Sequence, residues 1–241
     1  MARISELRLI GASIGSAFRD EIPSRGFKFR TQGFAYQTKS QLLFRTYESA
    51  EIRAVQRHLR RDLDVIELGA GIGVVSCHIR RHINPTQHLY CVEANSEAAQ
   101  IIDDNLALNG MTSGVTVVNA ALAHTAEHVH FIRGATIADG RIAESSCSCQ
   151  GNSVPAVTLK TLLSRFGIHE SALVCDIEGS EAAMIATDSY ALRKCVQIII
   201  ELHHSRYLDR QYEPDELLHA LCDLSFCLRT RDGNVCVLDR R

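Results

Sequence analysis

From residue 48 onward, two hydrophobic periodicities alternate along this 241-residue chain. Val65, Ile66 and Leu68 form a short apolar run, the mark of a strand buried on both faces; Val75, Ile79 and Ile83 then recur every four residues, as on one helix face. The exchange repeats. Residues 89–93 read as a second buried strand, followed by a helix with Ala98, Ile102 and Leu106 in phase, Ser96 as its cap and Asn109-Gly110 as its stop. Residues 115–118 read as a third strand, and Val129 and Phe131 with alternating polar neighbours as a fourth, antiparallel one. Thr158 is placed to cap a helix carrying Leu159, Leu162, Leu163 and Phe166 and ended by Gly167. Residues 173–175 and 197–202 are further strands. Pro214 opens a helix with Leu217, Leu221 and Leu224, and two apolar runs flank Asp232-Gly233, a hairpin signal. Ahead of all these, residues 48–61 carry Ile52, Val55 and Leu59 at helical spacing, with Arg60 and Arg61 in the last turn.

Alternating strands and helices with continuous apolar strands predict a doubly wound α/β fold, its mostly parallel sheet covered on both faces and closed by an antiparallel hairpin at the edge. Residues 47–241 are assigned to this domain and residues 1–46 to an N-terminal extension. Residues 134–153, rich in Gly, Ser and Cys, read as a loop long enough to serve as a lid or binding loop.

Functional residues of such a sheet gather beyond the carboxyl ends of the strands. Gly69, Gly71 and Gly73 form a turn there without Cβ atoms, between strand and helix. A dinucleotide turn reads G-x-G-x-x-G and packs a pyrophosphate on the helix N-terminus. Here the last of those glycines is replaced by Val74, and Glu67 precedes the turn. A carboxylate repels a pyrophosphate but accepts hydrogen bonds from an ammonium. S-adenosylmethionine carries an amino group and a sulfonium and no phosphate, so this turn favours it over NAD.

Glu93 ends the second strand, where an acid can take both ribose hydroxyls. Asn119-Ala120 ends the third; the amide can read an adenine edge, and it is equally a turn residue. Asp176-Ile-Glu178-Gly-Ser-Glu181 places three carboxylates at one strand end, with Ser180 and Glu181 also suited to start the next helix. Period two puts Glu201 and His203 on one face, where the imidazole can serve as general base or as a satisfied polar group. Asp176, Glu201 and His203 could hold a hard divalent ion, although such mixed sets are common without one, and a metal is not favoured.

Charge and composition narrow the classes. Net charge is −2, which gives no general attraction to nucleic acid. No apolar run reaches the length of a membrane span, and the first residues lack the apolar core of a signal peptide. Nine scattered cysteines suggest reduced thiols and a cytoplasmic chain; Cys147-Ser-Cys149 has no second pair to complete a zinc site. Locally the balance differs. No acid lies between Glu21 and Glu48, and Phe27, Phe29, Phe34 and Tyr36 interleave with Arg25, Lys28 and Arg30. Such a stretch can bind single-stranded nucleic acid, form a hairpin with a solvated basic face, or close over the active site and favour an anionic substrate; the net charge favours the hairpin.

Taken together, Tyr47-Glu48, Glu67-Leu-Gly-Ala-Gly-Ile-Gly73, Val92-Glu-Ala-Asn95, Asn119-Ala-Ala-Leu122, Val154-Pro-Ala-Val-Thr-Leu159, Asp176-Ile-Glu-Gly-Ser-Glu181 and Ile200-Glu-Leu-His203 resemble the FkbM-type S-adenosylmethionine-dependent methyltransferases. Glu67 and Ile72 stand where members often carry Asp and Asn. The resemblance implies the Rossmann-like, seven-stranded class I methyltransferase fold and methyl transfer to a hydroxyl of a sugar or small secondary metabolite. It implies cofactor contacts from Tyr47, Glu48, Glu67, Gly69, Ala70, Gly71, Gly73, Glu93, Ala94, Asn95, Asn119, Ala120 and Asp176. Asp176 or His203 is the expected base, with Glu178 orienting. The acceptor is expected to be a small hydroxyl compound, neutral or anionic. Competing readings are an RNA methyltransferase using the basic aromatic segment and a non-catalytic cofactor-binding module. Against the former, no N-P-P-[YF] tetrad follows Asp176; against the latter, Glu67, Glu93 and Asp176 are all intact.

Overall fold

The computed structural model describes residues 20–124, 126–134, 137, 140–142 and 151–241. Cys147, Cys149 and most of the 134–153 loop lie outside them.

The centre is a seven-stranded sheet. Five strands run parallel: β3 (Asp64–Leu68), β4 (Leu89–Glu93), β5 (Val115–Asn119), β10 (Ser171–Cys175) and β11 (Cys195–Glu201). The terminal hairpin β14 (Phe226–Asp232) and β15 (Val235–Arg240) completes the order β14-β15-β11-β10-β3-β4-β5. The hairpin closes the edge as expected, with antiparallel β15 inserted between β11 and β14. The hairpin turns on Gly233 and Asn234, since Asp232 still pairs with Val235.

Helices α2 (Ser49–His58), α3 (Val74–His82) and α4 (Ser96–Leu108) belong to the core on one face; α5 (Leu159–Phe166), α6 (Glu181–Thr187), α7 (Ser189–Leu192) and α8 (Pro214–Asp223) belong to the core on the other. Strand alternation divides the layers: Val65 and Val174 pack with the first set, Ile66 and Leu173 with the second. The caps follow their chemistry. Thr158 and Thr161 form a reciprocal capping box, and Gly167 ends α5 in the left-handed conformation. At α4 the cap is Asn95 and not Ser96: its side chain accepts from Glu97 N at 3.1 Å.

The extension folds onto this core. β1 (Glu21–Ser24) and β2 (Phe27–Arg30) pair through an Arg25-Gly26 turn, both residues at positive φ. The hairpin lies on α4, where Asn105 and Asn109 accept from the backbone N–H of Arg30 and Lys28. Ile22, Phe27 and Phe29 are buried beneath it. Helix α1 (Tyr36–Leu43), which the sequence pattern did not show, leads back toward β3 and α2. A second, small sheet, β6 (Ala121–Leu122), β9 (Asn152–Val157), β7 (His128–Arg133) and β8 (Gly140–Ile142), takes in both ends of the expected 134–153 loop. A short hairpin, β12 (Ser205–Tyr207) with β13 (Arg210–Tyr212), precedes α8. No helix among the described residues is long and apolar enough to cross a membrane.

Candidate active site

The order of the sheet reverses at β3, which has β10 on one side and β4 on the other. A switch-point crevice is therefore expected outside the carboxyl ends of β3 and β10. A cavity of about 240 Å³ opens there, lined by Gly69, Gly71, Glu93, Asp176 and Glu178. Ala94, Ala120, Tyr47 and Glu48 line it too, as does Gln41 of α1, while Phe131 and Ile142 reach in from the small sheet.

The glycine turn owes its composition to close approaches. Gly69, Gly71 and Gly73 have φ of +82°, +55° and +80°. A Cβ on Gly69 would stand 1.6 Å from the Asp176 carbonyl oxygen, and one on Gly73 would stand 3.2 Å from Ile102 Cα. The first glycine thus lets β10's end pass directly against the turn; the third lets α4 pack on α3. Gly71 donates its N–H to Glu93 Oε2 at 2.8 Å, and Asn95 N donates to Glu93 Oε1 at 2.7 Å. Glu93 is buried and pushed up to about 7, by burial first, against the pull of these backbone donors. One carboxylate thus clamps turn to strand end and still faces the cavity.

Several expected contacts point elsewhere. Glu67 is 2% exposed and does not line the cavity. Alternation along β3 turns it to the α3 side, where Ser76 Oγ donates to its Oε2 at 2.6 Å. Burial pushes it up to about 7. Its place is the strand–helix joint. Asn95 is occupied by capping α4 and by donating to Ile137 O at 2.8 Å. Asn119 donates to the carbonyls of Glu93 and Ala94. Neither amide lines the cavity, and neither do Ala70 and Gly73.

The acidic end is built around His203. Its Nδ1 lies 2.9 Å from Oε1 of Glu181, which is fully buried and also accepts from Ser205 Oγ at 2.7 Å. Its Nε2 faces Asp176 Oδ1 and Glu178 Oε2 at 3.8 Å each, and Glu201 Oε1 at 4.0 Å. Burial draws the imidazole pKa down, but Glu181 and the surrounding carboxylates lift it to about 9. Burial likewise raises Glu181, and its bonds from His203 and Ser205 more than reverse this. Near neutrality this environment favours the protonated imidazole, which donates rather than accepts a proton. Asp176 moves the other way. Burial and the flanking Glu178 and Glu201 raise it to about 7, against the attraction of His203. Its Oδ1 is buried without a hydrogen-bond partner.

Donor atoms of Asp176, Glu178 and His203 lie within 4.8 Å of one another, close enough to share a cation. A proton on His203 Nε2 competes for that position. Sequence reasoning passed over Glu51, buried in the first turn of α2; burial, then Glu48 and Asp176, push its carboxyl well above the usual range. The E-x-x-E spacing of Glu48 and Glu51 was its only signal. No lysine or arginine among the described residues lines the cavity, so the expected preference for an anionic substrate finds no support.

A doubly wound sheet of this order, with a glycine turn clamped by the acid of the next strand, defines the class I S-adenosylmethionine-dependent methyltransferases. The methyltransferase FkbM domain matches residues 67–228, and the chain belongs to that family. Similar solved structures include a protein of the NADB-Rossmann superfamily from Streptococcus agalactiae (11% identity, 79% of this chain and 67% of that one, TM-score 0.48). Others are the ribosomal protein L11 methylase of Lactobacillus delbrueckii subsp. bulgaricus (16%, 80% and 77%, 0.47) and M. capricolum TrmK in complex with S-adenosyl-homocysteine (11%, 78% and 65%, 0.45). No curated protein matches the chain in sequence.

Proposed function

We propose that this methyltransferase acts on a hydroxyl oxygen of a small, uncharged acceptor, a sugar or secondary metabolite, with Asp176 as general base. The observation that carries the reading is Asp176 itself. It lines the cavity, one carboxylate oxygen lacks a hydrogen-bond partner, and its pKa of about 7 suits proton abstraction near neutrality. Bound S-adenosylmethionine supplies a methyl carbon activated by a sulfonium; the C–O bond forms as the C–S bond breaks, leaving a neutral thioether.

Asp176 takes the hydroxyl proton during attack. His203, held as a cation by Glu181, stabilises the aspartate charge before the proton arrives, and Glu178 orients the acceptor. Glu93 and the backbone of Gly69 and Gly71 hold the cofactor's nucleoside end. Alignment of oxygen, methyl and sulfur supplies much of the acceleration. Gln41, Tyr47 and Glu48, which line the cavity, close its acceptor side.

The test has two stages. Calorimetry with S-adenosylhomocysteine measures cofactor binding; a panel of neutral sugar and metabolite hydroxyls is then screened for S-adenosylhomocysteine release, with the methyl located by NMR. Methyl on oxygen supports the reading. Methyl on nitrogen or carbon, with the cofactor bound, overturns it.

A further inference from the structure

Among the described residues, no basic side chain of the N-terminal segment lines the catalytic cavity. Three of them meet at a separate open groove of about 630 Å³ between the β1–β2 turn, the end of α1 and the end of α4. Arg25, Lys28 and Arg45 line it, and no acidic side chain among the described residues does. Arg81 adjoins it: its guanidinium sits 3.8 Å over the Phe27 ring and donates to the Arg25 carbonyl. Arg81 also lines a second groove together with Arg61 and Arg80, so the cations continue as a band.

This band gathers cations without counter-charges. Several arginines elsewhere on the surface are paired, as Arg30 with Asp104, Arg53 with Asp232 and Arg60 with Asp62. Among the described residues, Arg25, Lys28, Arg45 and Arg81 form no ion pair. Arg25 shows the strain of this arrangement: burial, then Arg53 and Arg45, lower its pKa, and its buried Nε has no hydrogen-bond partner. On a chain of net charge −2, uncompensated cations gathered on one face are a specific feature. Phe44, 66% exposed, stands between the groove-lining Leu43 and Arg45. Cations spaced along a groove beside an exposed ring suit a phosphate backbone with bases that stack. Arg25, Lys28, Phe44 and Arg45 lie before the matched residues 67–228, and Arg81 lies within them.

We propose that this band binds the phosphate backbone of a single-stranded nucleic acid, with Phe44 stacking on a base. The inference is independent of the acceptor assigned above. The full chain is titrated into a fluorescent oligo(U) by anisotropy over a series of salt concentrations, with S-adenosylhomocysteine binding and melting temperature measured in parallel. Four phosphate contacts predict a slope of log K against log salt of about −3. Lys28 and Arg45 are exposed and their side chains hold nothing in place, so Lys28→Gln/Arg45→Gln keeps the fold. That variant is expected to weaken binding at least about tenfold and to reduce the slope by about 1.4, with cofactor binding and melting unchanged. Phe44→Ala is expected to cost about fivefold or more. Absence of saturable binding at low salt overturns the proposal, as does a slope that the double variant leaves unchanged. Displacement by tripolyphosphate at equal phosphate concentration, with Phe44→Ala silent, also overturns it, since the groove would then be a simple phosphate site.

Discussion

His203 Nδ1 lies 2.9 Å from Oε1 of the fully buried Glu181, and this contact sets the charge of the acidic end. The imidazole rises from 6.5 to about 9, so the folded chain holds a proton that the unfolded chain releases. That stabilisation is complete below about pH 6.5 and is lost as the pH rises through 9. Glu67, Glu93 and Asp176, raised to about 7 from ordinary values near 4, act in the same direction at lower pH. The folded chain keeps their protons longer, so stability falls as they ionise. The melting temperature of the ligand-free protein is expected to be highest near pH 4 and to fall steadily toward pH 9. His203→Gln should flatten the part between 6.5 and 9. An unchanged slope there would show that the imidazole carries no extra proton in the folded state.

Asp176→Asn keeps shape and removes the base. It is expected to lower kcat by about two to four orders of magnitude while changing the S-adenosylhomocysteine Kd less than about threefold. In the unaltered enzyme, kcat/KM should rise through an apparent value near 7 and fall near 9, as Asp176 loses its proton and His203 then loses the charge that supports it. These values belong to the coupled pair. A variant that turns over at the original rate would remove Asp176 from the chemistry.

The split between Glu93 and Glu67 offers a sharper check, because the motif alone treats both as cofactor ligands. Glu93 bridges Gly71 and Asn95 at the cavity wall, whereas Glu67 pairs with Ser76 away from it. Glu93→Ala loses two charge-assisted hydrogen bonds of the turn, and S-adenosylhomocysteine affinity should drop about tenfold to a hundredfold. Glu67→Gln can still accept from Ser76 and no longer holds a charge in the core. Its affinity should stay within about threefold, with stability equal or higher above pH 7. Equal losses in both variants would contradict the placement of Glu67.

The contrast shows what the chain reveals by itself. Continuous apolar strands and four-residue helical repeats gave the parallel sheet, because burial on both faces leaves a direct trace in sequence. Strand ends could be located to a residue or two, which brought Glu93, Asp176 and His203 to one crevice. The direction of each side chain could not be read that way. Asn95 and Asn119 sit at the right strand ends, yet their amides bond to backbone carbonyls and a helix start. The protonation of His203 was equally hidden, since it depends on Glu181 being fully buried, and residue 181 reads as an ordinary first-turn acid. Helix α1 was missed because its eight residues are mostly polar, with only Thr38, Lys39 and Leu42 buried.

Gly69 and Gly233 separate conformational strain from steric contact. Both have positive φ, +82° and +64°. At Gly233 a Cβ meets nothing within 4 Å, so Gly233→Ala should cost only the left-handed penalty, about 1 to 2 kcal/mol in chemical denaturation. At Gly69 the same methyl would lie 1.6 Å from the Asp176 carbonyl oxygen, a backbone atom with no room to yield. Relief requires the glycine turn and the end of β10 to move apart, which opens the switch-point crevice. Gly69→Ala should therefore be clearly more destabilising than Gly233→Ala. Bound S-adenosylhomocysteine should add little to its melting temperature, whereas it should add the full increment to Gly233→Ala. If the two variants lose equal stability and respond equally to the ligand, the contact between the turn and Asp176 does not constrain the site.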